Sequence, residues 1–401
     1  MKISHLTLIF VLTITASCAQ NRVPEKGKRW AERMALSEMI RNPDASRLDF
    51  VKEPKWNYTN GLVCSAVERV WKSTGDEQFL KYIKDYADMM INESGEIKAY
   101  KPAEYNIDKV NSGKFLFALY DHTKDEKYAK AIHRLRDQMK SHPRTSEGGF
   151  WHKKIYPHQM WLDGLYMGSP FLAQYAKVFG ETELFDDVAL QFKLIDKYTY
   201  DAESGLFYHA WDESKEQQWA NKEDGKSPHV WGRAMGWFAM SLVDVLDFFP
   251  EDHPERAQIM TILNKMAQAV AKTQDAKSGV WYQVMDLPDR EGNYLEASAS
   301  SMFTYFLLKA LNKGYIGPEY DKIARKAYDG VLKEFIKVDE NGMVSLTKVC
   351  SVAGLGGKPY RDGTFEYYIS EPQRDNDPKG VGPFIMMDLE YEKLTKGDKR
   401  K

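Results

Sequence analysis

An aspartate two residues after a tryptophan, Asp163 in the run Gln159-Met160-Trp161-Leu162-Asp163-Gly164-Leu165-Tyr166-Met167, sits in a segment otherwise too apolar to welcome a charge. Burying a carboxylate without a partner costs several kcal/mol or forces it to keep its proton, so such an acid needs a reason. It serves either as a helix cap or satisfied core polar group, or as a group that gives and takes a proton. Three further clusters could keep it company. Asp108, in Tyr105-Asn106-Ile107-Asp108, opens an apolar helical pattern, where the helix dipole alone favours an acid. His209 lies in Phe207-Tyr208-His209-Ala210-Trp211, and His152 in Gly149-Phe150-Trp151-His152.

The fourth cluster, His229-Val230-Trp231-Gly232-Arg233-Ala234-Met235-Gly236-Trp237, is the most specific. Arg233 stands between Trp231 and Trp237 and among glycines that permit close approach. A guanidinium presents a planar fork to a carboxylate, and the flanking indoles can stack on a sugar ring or on the arginine itself. That is chemistry for an acidic sugar. The alternative is two core tryptophans with Arg233 bridging helix ends. Gly354-Leu355-Gly356-Gly357-Lys358 lacks the spacing of a phosphate loop, and neither His-Glu-x-x-His nor Gly-x-Ser-x-Gly occurs. The sequence therefore calls for no metal and no cofactor.

These residues must be held by the elements around them. From about residue 27 the chain is a succession of amphipathic segments joined by turns rich in Gly, Pro, Asp and Asn. The segments pair: an apolar member is followed, after a turn and an acidic residue, by one with a charged face. Pairs are read at 56–73 with 77–83, 106–122 with 126–132, 159–179 with 181–198, 230–249 with 254–271, and 298–313 with 318–336. The period of about fifty to sixty residues suggests stacked helical hairpins. Helices near 29–40 and 383–394 supply a sixth pair, and six pairs use the whole chain, which favours a closed ring over an open solenoid. The expected fold is all-α, an (α/α)6 barrel with apolar inner and charged outer helices. Long connections at 199–228, 274–296 and 338–377 are where binding residues belong. Within them 279–284 and 343–347 read as strands.

Composition narrows the partner. The chain has 401 residues and a formal net charge of -2, which gives no electrostatic case for nucleic acid or an anionic membrane surface. The start, Met1-Lys2, an apolar run from Leu6 to Ile14, then Thr15-Ala16-Ser17-Cys18-Ala19, reads as a signal for export, too short to span a bilayer. Either Cys18 becomes a lipid-modified N-terminus in the manner of bacterial lipoproteins, or cleavage follows Ala19. Residues 1–19 are thus the signal and 20–401 a single domain, periplasmic or lipid-anchored, with the membrane reached only through Cys18. The remaining cysteines, Cys64 and Cys350, have no metal spacing, and a disulfide between them is open.

The segments around Trp161-Leu162-Asp163 and Trp231-Gly232-Arg233, with Glu296-Ala297-Ser298-Ala299-Ser300-Ser301-Met302-Phe303, resemble the unsaturated rhamnogalacturonyl hydrolases of glycoside hydrolase family 105, related to the family 88 unsaturated glucuronyl hydrolases. The resemblance covers everything after the signal and itself implies an (α/α)6 barrel. It implies Asp163 as general acid/base, with Asp108 and His209 as further catalytic residues, and Trp161, His152, Trp231, Arg233 and Trp237 lining the sugar site.

The implied substrates are oligosaccharides left by polysaccharide lyases, ending in a uronate with a C4=C5 double bond. Such a vinyl ether is hydrated: the acid protonates C4, water adds at C5, and the hemiketal opens to release the remaining sugar. An acid of this kind needs its proton near neutral pH, and an apolar surrounding is what keeps a carboxyl protonated. The reaction does not pass through the anomeric carbon, so carboxylate separation does not decide its outcome as it does for other glycosidases. Arg233 or His209 would meet the substrate carboxylate, with the tryptophans stacked on the rings. An unsaturated glucuronyl hydrolase acting on ulvan-like fragments, and a glycan-binding lipoprotein without activity, remain as alternatives.

Overall fold

The computed structural model describes residues 27–398, so the expected signal, including Cys18 and Ala19, lies outside the described residues. Six helical pairs form two concentric layers. Pairs of an inner and an outer helix are α2 (Tyr58–Thr74) with α3 (Glu77–Met90), α7 (Leu162–Phe179) with α8 (Leu184–Thr199), α9 (Gly232–Val245) with α10 (Arg256–Thr273), and α11 (Ala297–Asn312) with α12 (Asp321–Phe335). The second inner element is split into α4 (Asp108–Asn111) and α5 (Leu116–Thr123), backed by α6 (Glu126–Lys140). The last pair joins the two ends of the chain: inner α14 (Pro378–Asp398) packs on outer α1 (Trp30–Arg41).

The inner helices touch in a closed circuit, α2 to α4, α7, α9, α11, α14 and back to α2. The expected (α/α)6 barrel is therefore the observed one, including the sixth pair from the chain ends. Burial explains the layering. Every residue of α9 is buried, as is α11 from Ala297 to Ala310, which suits helices with neighbours on all sides. In α3 only one face is buried, and the opposite face carries the pairs Lys81–Asp85 and Lys84–Asp88 at i,i+4. The turn before it is made by Gly75 in the left-handed conformation, after which the Asp76 carboxylate accepts from the Gln78 amide and caps α3. The turn before α6 repeats the device with Lys124 and Asp125.

Among the described residues three short antiparallel ladders lie in the connections. β1 (Gln159–Trp161) pairs with β2 (Ala210–Asp212), β3 (Ile336–Val338) with β4 (Val344–Leu346), and β5 (Val349–Cys350) with β6 (Gln373–Arg374). The strand expected at 343–347 is β4. The one expected at 279–284 is absent as a ladder: Val284 bridges Trp231 on one side, while Tyr282 bridges Leu295 on the other. Its partners alternate, so no continuous pairing builds up. Two other expectations are corrected. Residues 159–161 belong to a strand, so the apolar helix starts at Leu162. The helix expected over 106–122 breaks at 112–115, where a side chain at Gly61 of α2 would collide with the Ser112 backbone and where Ser112 turns its hydroxyl to the Asn57 carbonyl. Cys64 and Cys350 are both buried and free. The Cys350 thiol instead accepts from the Gln283 side-chain amide at 3.2 Å.

Candidate active site

The residues singled out by sequence converge at the N-terminal ends of the inner helices, which is one mouth of the barrel. Asp163 is in the first turn of α7 because β1 ends at Trp161 and pairs with β2. That pairing, with the Leu162 amide donating to the His209 carbonyl at 3.1 Å, fixes Asp163 beside His209. His209 Nε2 lies 3.3 Å from Asp163 Oδ2, but out of line for a hydrogen bond, and neither atom has another partner among the described residues. His209 is fully buried and Asp163 keeps 13% of its side chain exposed, so the carboxyl can be reached and the imidazole cannot. On its far side, His209 Nδ1 is 2.7 Å from the hydroxyl of Tyr368. Tyr368 lies in a short helix, α13 (Phe365–Ser370), inside the third long connection.

Asp108 begins α4, with its amide bound to the Asn106 side chain at 3.1 Å. One carboxylate oxygen is 2.6 Å from Lys153 Nζ and the other 3.3 Å from His152 Nε2. Burial pushes this carboxyl up, but Lys153 and His152, then Lys109, outweigh it and hold it below the usual carboxylate range. Burial pushes His152 down to about 4 against the pull of Asp108, so its ring is neutral at neutral pH. Asp163 and His209 also act electrostatically on His152, which therefore links the two aspartates. Gly164 makes this approach possible: a Cβ there would stand 3.2 Å from His152 Nδ1, tighter than side chains normally pack.

The aromatic residues are placed differently from expectation. Trp161, Trp231 and Trp237 are 5%, 1% and 1% exposed, so none offers a free face to a sugar. Trp161 stacks on His152 (4.6 Å, 8°) and on Tyr156 (5.0 Å, 15°), and meets His209 edge-on. Trp231 stacks on Tyr368 and donates its indole N–H to Gln283. Trp237 stacks on Tyr166 and touches Tyr58 by an edge. The rings bury one another because the core rewards burial of large aromatic surface; they form the bed of the site and orient the polar groups.

Arg233 is also buried. Its guanidinium lies over the Trp231 ring at 4.8 Å and donates to the Cys350 carbonyl, and its Nε has no partner among the described residues. Cys350 is held there by Glu296, the N-cap of α11, whose carboxylate accepts from the Cys350 amide at 2.9 Å and the Ala299 amide at 2.7 Å. Arg233 thus stacks on an indole, one of the two arrangements its flanking tryptophans allowed.

Lys153, Tyr156 and Tyr368 are site residues that the sequence reading missed. Lys153 was signalled only by its position next to His152. Tyr368 had no local signal, being 159 residues from its partner. The arrangement as a whole offers an accessible carboxyl for proton transfer, an ionised carboxylate clamped by a lysine, and a histidine between the first carboxyl and a phenol.

The chain that forms this closed (α/α)6 ring, with its acid pair at one mouth, is a glycoside hydrolase by family: residues 30–395 match the Glycosyl Hydrolase Family 88 model. The chain belongs to this family, on its family 105 side. In particular it is similar to a solved family 105 glycoside hydrolase from C. acetobutylicum ATCC 824, at 48% identity and a TM-score of 0.88, covering 91% of this chain and 99% of that one. The unsaturated rhamnogalacturonyl hydrolase YesR of Bacillus subtilis (strain 168) is 26% identical over 296 residues, 72% of this chain and 78% of that protein. The unsaturated glucuronyl hydrolase of Bacillus sp. GL1 shares the fold, at 14% identity and a TM-score of 0.65 over 90% of this chain and 95% of that one.

Proposed function

We propose that this enzyme releases the C4=C5-unsaturated galacturonyl residue from the nonreducing end of rhamnogalacturonan oligosaccharides produced by lyases. The observation that carries the reading is the Asp163–His209–Tyr368 line beside a separately clamped Asp108. Asp163, protonated, delivers its proton to C4; as carboxylate it takes one from the water that adds at C5. The hemiketal so formed opens to a ketonic deoxyuronate and the free aglycone sugar. His209 can assist both steps, because the imidazole has two tautomers. With Nδ1 donating to the Tyr368 oxygen, Nε2 is bare and faces a protonated Asp163; with Nδ1 accepting, Nε2–H faces the carboxylate. Asp108, kept ionised, is suited to hold a sugar hydroxyl or the attacking water. Lys153, on Asp108 and 20% exposed, is a cation at this mouth that can meet the substrate carboxylate, while Arg233 is buried against Trp231 and the Cys350 carbonyl.

The similarity to YesR supports the pectin-derived substrate. Lyase action erases the C4 difference between galacturonate and glucuronate, so a glucuronate-directed reading differs only in linkage and following sugar. A panel of unsaturated disaccharides from rhamnogalacturonan and from ulvan, followed by loss of the ultraviolet absorbance of the double bond, tests both. Faster turnover of the pectin-derived disaccharide is expected; preference for the ulvan fragment would replace the first reading by the second. Export, with either lipid on Cys18 or cleavage after Ala19, is part of the same proposal and is read from the mass of the mature N-terminal peptide.

A further inference from the structure

The mouth of the barrel opposite the catalytic residues holds a cavity of about 290 Å³, walled by the inner helices. It is a funnel. At its rim Lys72, Lys313 and Lys393 have side chains 58%, 47% and 64% exposed; at its floor Lys114 is 9% exposed.

The charges do not balance. Six lysine and arginine side chains face four carboxylates. Each carboxylate already has a cation: Asp244 and Asp247 share Lys309 at 2.6 Å, Glu68 has Lys72 at 2.6 Å, and Glu390 has Lys393 at 2.6 Å. The negative C-terminal ends of the inner helices account for lysines in last turns, such as Lys72 and Lys309. Lys114 is explained by neither. It projects from the break between the end of α4 at Asn111 and the start of α5 at Leu116, outside the last turn of either helix, and it is in no ion pair among the described residues. Its ammonium donates to the Tyr166 carbonyl at 3.2 Å and stands 3.4 Å over the Tyr166 ring. Burial pushes Lys114 down to about 7; Asp244 opposes that, and Arg69 and Lys309 add to it. In its charged form Lys114 lacks the counter-charge that buried charges normally have.

We propose that this cavity is a second ligand site, for a small oxyanion of the phosphate or sulfate type, with Lys114 at its base and the rim lysines above it. The Tyr166 ring beneath Lys114 is stacked on Trp237 of the catalytic bed at 4.9 Å, so the two mouths are one aromatic layer apart. The ligand supplies the missing charge and stabilises the folded ring by binding it and not the unfolded chain.

The test is thermal unfolding of the full chain in sodium phosphate, sodium sulfate and sodium chloride at equal ionic strength. Wild type is expected to show a saturable rise of about 2–4 °C in phosphate or sulfate over chloride. Lys114→Met should lose that rise while keeping its helical circular dichroism, since it removes a buried amine with no counter-charge. Lys114→Arg should retain it. An equal response of wild type to all three salts overturns the proposal, as does a rise that survives in Lys114→Met but vanishes in Lys153→Met, which would put the anion at the catalytic mouth. Should Lys114→Met fail to fold, crystals of wild type soaked in selenate decide: an anomalous peak beside Lys114 supports the site, and none there overturns it.

Discussion

Tyr368 and His209 share a 2.7 Å hydrogen bond across 159 residues of chain. The imidazole that faces the reactive carboxyl is thereby oriented from the loop between the fifth pair and the last helix. Burial holds the Tyr368 hydroxyl well above the usual phenol range, so it remains a proton donor throughout the working range of pH.

Replacing Tyr368 by Phe removes this partner and leaves His209 free to choose its tautomer. A turnover about tenfold lower with KM little changed is expected, the worth of one hydrogen bond expressed in the transition state. The pH–rate profile should shift at the same time. An unchanged profile with reduced stability alone would mean that Tyr368 only packs.

Asp163→Asn should reduce turnover by ~10²-fold or more, the contribution of general acid catalysis, with the circular dichroism of the wild type retained. The absorbance of the unsaturated uronate reports it directly. Bleaching at the wild-type rate would remove Asp163 from the mechanism.

Lys153→Met takes away the closest partner of Asp108. Because the lysine is 20% exposed, the cost in stability is expected at the low end for a broken buried pair, about 1–3 kcal/mol by urea unfolding. The acid limb of the activity profile should move to higher pH, since the Asp108 carboxylate is then easier to protonate.

Stability should fall as the solution is acidified from about 6.5 to about 4. His152 and His142 are both pushed down to about 4 by burial from an ordinary 6.5, so in this window the unfolded chain binds protons that the folded one refuses. Their contribution is complete above 6.5 and lost by 4, and for His152 it amounts to at most about 3 kcal/mol. Asp108, held low, adds a loss at still lower pH as it protonates. Calorimetric unfolding at several pH values checks this, and His152→Gln should flatten the slope.

Most of the ring was legible in the sequence because the first member of each pair is the more apolar and the second carries a charged face, a contrast that survives without knowing any contact. The turn with a capping Asp, seen at Asp76 and Asp125, marked the joints. Asp163, Asp108, His209 and His152 stood out because polar groups in apolar runs are conspicuous, and they do meet at one mouth. What stayed hidden depends on the third dimension. Nothing local distinguishes Tyr368 from other tyrosines, and nothing local says that the faces of Trp161 are covered by His152 and Tyr156. The break at 112–115 likewise brings the Ser112 backbone against Gly61 of α2, where any side chain would collide with it.

The seal between α14 and α2 has a consequence for how the molecule comes into being. The first inner helix finds its last neighbour only when the far end of the chain is available, a pairing of about as long a sequence separation as the chain permits. A nascent or truncated chain ending before α14 would present an open horseshoe, with the flanks of α2 and α11 that meet α14 bare. Such an intermediate is prone to stick to others of its kind until α14 is docked.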